Sequence, residues 1–294
     1  MLRPVIAGID GSPESLAAAG WAAREAQRRD TALRLVHAWA WSPHPSAAVP
    51  STTSQRQWAQ RILREARDHL VSLYPHLQVE EAQIPGAAPA VLLEASSQGA
   101  LLVLGSRGLN GFTGYLAGSV GLTLTARSMT PVALVRAGEQ AADAHLLNAE
   151  GHSSTETPYR DVLLGIDLAH PGEEAIAFAF EAAQSRGAAV HILHGYRPLS
   201  IAAPGARGGR EVAAEHESAL DALVQPWRAK YPRTAVTTAA LQGRAQSLLL
   251  HAASDAGLLV LGRSDRPRSG PFTGPMIHAA LHHARCPMVV VPHA

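Results

Sequence analysis

The chain has 294 residues, long enough for one large or two ordinary domains, with 25 Lys+Arg against 24 Asp+Glu and a formal net charge of +1. That balance excludes an overall field drawing the protein to nucleic acid or anionic membranes. Hydrophobic residues make up 47% of the chain and aromatic ones 5%, so a packed core is expected with Ala, Val and Leu carrying it. The single cysteine, Cys286, excludes an internal disulfide and fits a reducing compartment. No apolar run approaches the length needed to span a bilayer, and Met1-Leu2-Arg3-Pro4 leads straight into a short strand. The expectation is a soluble cytoplasmic protein with no nucleic-acid and no membrane partner.

Strand and helix signals alternate along the chain. Residues 4–9 (PVIAGI) form an apolar run closed by Asp10-Gly11-Ser12-Pro13, a strand followed by turn residues and a helix start. An Ala/Trp-rich helical pattern covers 14–29, and 33–39 (LRLVHAW) is a second strand. Residues 42–54 are rich in Pro, Ser and Ala, lack periodicity and read as a loop. A helix is predicted over 55–73, stopped near Tyr74-Pro75, and weak alternation over 78–83 makes a poor third strand. Residues 88–97 are helical, 101–104 a strand, 118–128 a helix and 131–135 (PVALV) a last strand. Alternation with short links predicts an α/β fold built on a parallel, doubly wound sheet.

The stretch from Leu101 to Val120, LLVLGSRGLNGFTGYLAGSV, carries the chemistry. Its apolar start breaks at Gly105 into a loop of five glycines, and a helical pattern resumes near Gly118-Ser119. Glycines let backbone N–H groups approach an anion, and a helix N-terminus adds unpaired donors and the positive end of its dipole. Ser119 stands where an N-cap hydroxyl serves the helix or a ligand, and Arg107 adds a fork of donors suited to phosphate. An ordinary glycine-rich turn is the alternative. Two familiar phosphate motifs do not fit. No Gly-Lys-Ser/Thr triplet closes a Walker A loop, and a dinucleotide fingerprint belongs after the first strand, whereas this loop follows the fourth. What is present is Gly105-x-x-Gly108, nine further residues, and Gly118-Ser119.

The chain is a tandem duplication. Gly8-Ile9-Asp10 recurs as Gly165-Ile166-Asp167, Val36-His37 as Leu193-His194, Tyr74-Pro75 as Tyr231-Pro232, Gly86 as Gly243, and LLVLG at 101–105 as LLVLG at 258–262. Each pair is separated by the same 157 positions, an offset that chance would not hold through most of a domain. The expected domains are 1–137 and 159–294, joined by a linker over 138–158 that is rich in Ala, Glu, Ser and Thr and lacks a core pattern. The loop after the second strand recurs at 198–210, so both copies are expected to carry a mobile flap there.

The glycine spacing after an apolar strand resembles the nucleotide-binding signature of the universal stress protein family. With the repeat the resemblance covers nearly the whole chain, and the tandem form with GIDGSP and WAAREA is similar to actinobacterial members. It implies two tandem, Rossmann-like domains, related to the adenine nucleotide alpha hydrolase fold, each a five-stranded parallel sheet with helices on both faces. It also implies ATP at the carboxyl edge of the sheet, the edge where doubly wound folds place ligands. Carried over residue by residue, Asp10 matches the acidic residue beside ribose and phosphates, and Gly8 the glycine that precedes it on the strand. Ala38 matches the position whose main chain meets the adenine. Gly105, Ser106, Arg107, Gly108, Gly118, Ser119 and Val120 would surround the triphosphate. Mg2+ could accompany ATP near Asp10; no other metal is implied. Asp10-Gly11-Ser12-Pro13 also reads simply as an Asx turn and helix start.

The second half departs from this pattern. Arg263-Ser264-Asp265 follows Gly262, so an aspartate replaces the second motif glycine. Gly274 aligns with Gly118 only after one residue is dropped, and Pro275 then replaces Ser119, removing both a hydroxyl and an N–H; a rival alignment of Phe112-Thr113-Gly114 with Phe272-Thr273-Gly274 deletes the Gly-Ser pair outright. Asp265 would set a carboxylate against an anion, partly offset by Arg263, Arg266 and Arg268. Asp167, Gly262 and Gly274 are therefore expected to mark a degenerate second site, structural or specific for another ligand.

Other constellations are weaker. His278-x-x-x-His282 has one-face helical spacing but no evident third ligand. His37 and His194, at equivalent places in apolar strands, are expected to make a structural hydrogen bond. G-x-S-x-G is absent, and Cys286 before Pro287 reads as packing rather than nucleophile. Trp39 and Trp41 could stack on a base or cap the core. The reading is an ATP-binding regulatory or stress-response module, with ATP in the first half and at most slow hydrolysis. The alternatives are a structural dimerising protein and an adenylate-forming enzyme. In the strand order that the resemblance implies, each half ends in an edge strand, so the halves are expected to associate as a pseudo-dimer through those strands, and a homodimer through a further face.

Overall fold

The computed structural model describes residues 2–39, 52–106, 119–197, 209–265 and 274–294, without the side chains of 52–55 and 119. The predicted loop at 42–54 and the flap at 198–210 fall almost entirely outside the described residues. Two compact units divide the chain, residues 1–140 and 141–294.

In the first unit the strands are β1 (Val5–Gly8), β2 (Leu33–Trp39), β3 (Val79–Pro85), β4 (Leu101–Ser106) and β5 (Val132–Arg136). The helices between them are α1 (Pro13–Arg28), α2 (Thr52–Leu73), α3 (Ala88–Ser97) and α4 (Ser119–Arg127). The strand order is β3-β2-β1-β4-β5, with every pairing parallel. Val5, Ile6 and Ala7 have no exposed surface, and neither do Leu101, Leu102 and Val103, as strands covered on both faces require. Ser12 caps α1, its Oγ accepting from the N–H of Ser15 at 3.2 Å, and Pro13 supplies a preset first-turn φ. Ala18, Ala19, Ala22, Ala23 and Ala26 make the buried face of α1, which lets that helix lie close on the sheet. β4 runs two residues beyond the predicted strand: Gly105 pairs with Val135 and Ser106 with Arg136, so neither belongs to the loop.

In the second unit β6 (Val162–Gly165), β7 (Val190–Tyr196), β8 (Val236–Gln242), β9 (Leu258–Ser264) and β10 (Met288–His293) have the order β8-β7-β6-β9-β10, again wholly parallel. The helices are α5 (Glu173–Arg186), α6 (Gly209–Lys230), α7 (Ala245–Ala252) and α8 (Gly274–His283). The duplication holds at the level of register. Val5 is aligned with Leu33 and Leu101, and Val162 with Val190 and Leu258. The core differs in kind, because Phe180 of α5 is packed against the rings of Trp227 on α6 and Tyr231 just beyond it, at 5.8 and 5.3 Å.

Much of the expected linker is ordered as part of the second unit. Ala141–Ala144 is a 3-10 turn, and antiparallel bridges join His145 to Tyr159 and Leu147 to Ser153. The buried His145 ring lies 3.9 Å from that of Tyr159, and its Nδ1 meets the Thr157 carbonyl at 2.5 Å. Thr157 Oγ1 donates to the Leu146 carbonyl, and Arg160 Nε to that of His145 at 2.8 Å. These are side-chain-to-backbone bonds, which leave no hydrophobic period to read.

Candidate functional site

The strand order reverses direction between β1 and β4, the switch point at which a doubly wound sheet opens a crevice. A cavity of about 250 Å3 lies there. Gly8 and Asp10 bound it from β1 and its end, Ala38 from β2, Gly105 from β4, and Val120 from the first turn of α4. Five of the residues picked out of the sequence are thus brought together. Ser106, further along β4, is buried but does not line it. Arg107, Gly108 and Gly118 lie outside the described residues, and Ser119 is described only as the first residue of α4.

The cavity has two chemical ends. Val36, Ala38, Ala88 and Leu92 supply the apolar end. Asp10, Ser12, Glu14 and Ser15 supply the polar end. There the Asp10 carboxylate accepts from the N–H of Ser12 at 2.9 Å and from its hydroxyl at 2.5 Å, while the Asp10 N–H donates to Ser15 Oγ at 3.3 Å. Val120 and Gly121 present the amino end of α4, whose first N–H groups have no intrahelical partner. Ser12, the cap of α1, Glu14 and Ser15 in its first turn, and Ala88 and Leu92 on α3 are lining residues that the sequence reading did not assign. The Asx turn at Asp10 was visible, but that it folds α1 over the crevice depends on the sheet.

The second unit treats the equivalent edge differently. Asp167 is exposed, its Oδ1 accepting from the Ala169 N–H at 3.1 Å and its Oδ2 standing 3.6 Å from His170 Nδ1. Arg263 Nη1 lies 2.9 Å from Asp265 Oδ1, so that cation faces its own neighbour's carboxylate. His293 crowds Gly262, where a Cβ would stand 3.0 Å from its ring, and Gly195, the counterpart of Ala38, would meet Ala245 at 2.7 Å. Gly274 opens α8 with φ +82°.

The histidines follow the expectation of a structural bond: His37 Nδ1 is 2.6 Å from the Ile9 carbonyl oxygen, and His194 Nδ1 is 3.1 Å from that of Ile166. His278 and His282 face each other on α8, ring centroids 4.5 Å apart, and no group of three metal-ligating side chains occurs among the described residues. Cys286 is half-buried.

The model of the universal stress protein family matches residues 1–136 and again 158–292. The chain belongs to that family. A universal stress protein of Mycobacterium tuberculosis is 28% identical over 319 aligned positions, covering 97% of this chain and 94% of its own. The crystal structure of a universal stress protein from Archaeoglobus fulgidus shares the fold with a TM-score of 0.67 at 13% identity, covering 99% of both chains. A universal stress protein solved in complex with cAMP is 29% identical over 46% of this chain and 98% of its own, with a TM-score of 0.38. This chain is therefore a tandem universal stress protein with two α/β domains. No helix among its described residues is long and apolar enough to cross a membrane.

Proposed function

We propose that this universal stress protein is a nucleotide-dependent regulatory module that holds ATP in its first domain. The observation that carries the reading is the cavity at the β1/β4 switch point, with apolar residues at one end and the amino end of α4 at the other. The apolar end suits a planar base, whose edge needs one donor and one acceptor from the main chain beside Ala38. The helix end and the glycines of the motif suit phosphates, and Asp10 and Glu14 place carboxylates where Mg2+ would moderate their repulsion of an anion. Among the described lining residues only Asp10 and Glu14 could act as a base toward a terminal phosphate, and the reading assigns both to holding Mg2+, as regulation rather than turnover requires. In the second domain, the Arg263–Asp265 pair and the close seat of Ala245 on Gly195, where the first domain admits Ala38, favour a structural role.

Mass spectrometry of nucleotide released from the purified, heat-denatured protein tests the reading. ATP at about one equivalent per chain is expected. Protein that carries no nucleotide and takes up none on calorimetric titration overturns it in favour of a structural dimerising protein. Steady phosphate or pyrophosphate release at ordinary enzymatic rates would favour the enzyme.

The association of the two halves as a pseudo-dimer through their last strands is proposed on the duplication and the family resemblance alone. Amide protons of β5 that exchange no more slowly in the whole protein than in residues 1–140 would overturn it.

A further inference from the structure

Three rings meet near the C-terminal end of β7 in the second domain. His194 is 6% exposed, and its Nδ1 lies 3.1 Å from the carbonyl oxygen of Ile166. A carbonyl only accepts, so Nδ1 carries the proton and Nε2 is left as a bare lone pair. That lone pair is 3.2 Å from Nδ1 of His216, on α6. The ring of Tyr196 is stacked on His216 at 4.1 Å, with 12° between the planes. Both imidazoles are thus held from behind, one by a hydrogen bond and the other by a stacked ring. In the first domain His37 keeps the equivalent bond to Ile9, but the ring of Trp58, not a second imidazole, is its neighbour at 6.0 Å.

We propose that Nε2 of His194 and Nδ1 of His216 form a two-imidazole site for a divalent transition-metal ion of the zinc class. Two imidazole nitrogens at ordinary Zn–N lengths on a tetrahedral ion stand roughly 3.3 Å apart, and the pair already stands at 3.2 Å. In the metal-free protein that spacing holds an N–H···N bond donated by His216. On metal entry the His216 proton moves from Nδ1 to Nε2, the other neutral tautomer, and the hydrated ion gives up two waters to the freed lone pairs. The bond from His194 to Ile166 is the kind of outer-shell contact that orients a ligating imidazole. No third His, Cys or carboxylate joins the pair among the described residues, so water completes the coordination. The pair on α8, His278 and His282, is not buried and presents a background site that a test has to remove.

The test uses the full chain, stripped with chelator, carrying His278→Ala and His282→Ala, and titrated calorimetrically with ZnCl2. One zinc per chain is expected, weakened at least about tenfold by adding His216→Ala. Long-range nitrogen NMR should show zinc shifting Nε2 of His194 and Nδ1 of His216 while the remaining histidines stay in place. Zinc binding that is absent in the background protein, or unchanged by His216→Ala, overturns the site. His216 is half-buried on α6, and circular dichroism of its variant separates lost binding from lost folding.

Discussion

A Cβ on Gly105 would stand 2.5 Å from the carbonyl carbon of Glu14 and 2.7 Å from the N of Ser15. β4 therefore passes directly beneath the first turn of α1, backbone against backbone, at the rim of the cavity. The glycine that the sequence offered as a phosphate contact is also what allows α1 to sit over the switch point. Neither neighbour is a flexible side chain that could swing away.

Gly105→Ala is accordingly expected to destabilise the protein by about 1–3 kcal/mol, at the upper end because a backbone must move, and Gly105→Val by more. Urea denaturation measures it. A Gly105→Ala protein with an unchanged midpoint and slope would show that α1 does not rest on this residue.

The fold was largely legible because its signals are local. Apolar runs such as Leu33–Trp39 and turn residues such as Asp10-Gly11-Ser12-Pro13 fix strands and helix starts, and a constant repeat offset doubles the reading. What the sequence left out shares one cause. Gly105 and Ser106 look like loop, yet Val135 and Arg136 across the ladder keep them in strand. The segment after Gln140 has no apolar period because His145, Thr157 and Arg160 organise it through main-chain carbonyls. The lining contributed by Glu14, Ser15, Ala88 and Leu92 was hidden for the same reason: helices meet at the crevice only after the sheet has placed them.

The proposed division of labour between the domains predicts one ATP per chain by calorimetry. Ser119→Ala is expected to weaken it by roughly 0.5–1.5 kcal/mol, about two- to tenfold, if the hydroxyl meets a neutral partner, and by up to about 3 kcal/mol if it meets a charged one. Gly118→Val, which blocks backbone approach, is expected to abolish it. Two equivalents per chain, or parental affinity in a folded Gly118→Val protein, would place the ligand elsewhere.

Arg24 and Glu139 form a second testable pair, Nη2 lying 2.7 and 2.6 Å from the two carboxylate oxygens with side chains 13% and 6% exposed. Burial works to lower the Arg24 pKa, but the charge and hydrogen bond of Glu139, helped by Tyr74, hold it above the usual guanidinium value. A raised pKa gives stabilisation that is complete below the unfolded value and lost only as pH rises through the folded one. From Arg24, then, no loss is expected anywhere below about pH 12. Glu139→Ala strands the buried cation and should cost about 3–5 kcal/mol, whereas replacing both partners by apolar residues should cost far less. A penalty for Glu139→Ala below about 1 kcal/mol, or one that fades between neutral pH and pH 10, would contradict this account.

The last prediction concerns how one duplicated fold is packed in two ways. Phe180 of α5 has no exposed surface and packs on the rings of Trp227 on α6 and Tyr231 just beyond it. Its counterpart one repeat earlier is Ala23, equally buried, on the alanine face of α1. The second domain thus fills with one aromatic cluster a layer that the first closes by bringing α1 near the sheet. Phe180→Ala should leave a void that two other rings cannot fill and cost about 3–5 kcal/mol. The reverse change, Ala23→Phe, should cost at least as much, since the helix has to lift to admit a ring. Thermal denaturation of the two variants decides it. Were Ala23→Phe tolerated with less than about 1 kcal/mol of loss, the two cores would be interchangeable, and the close seat of α1 would not depend on its alanines.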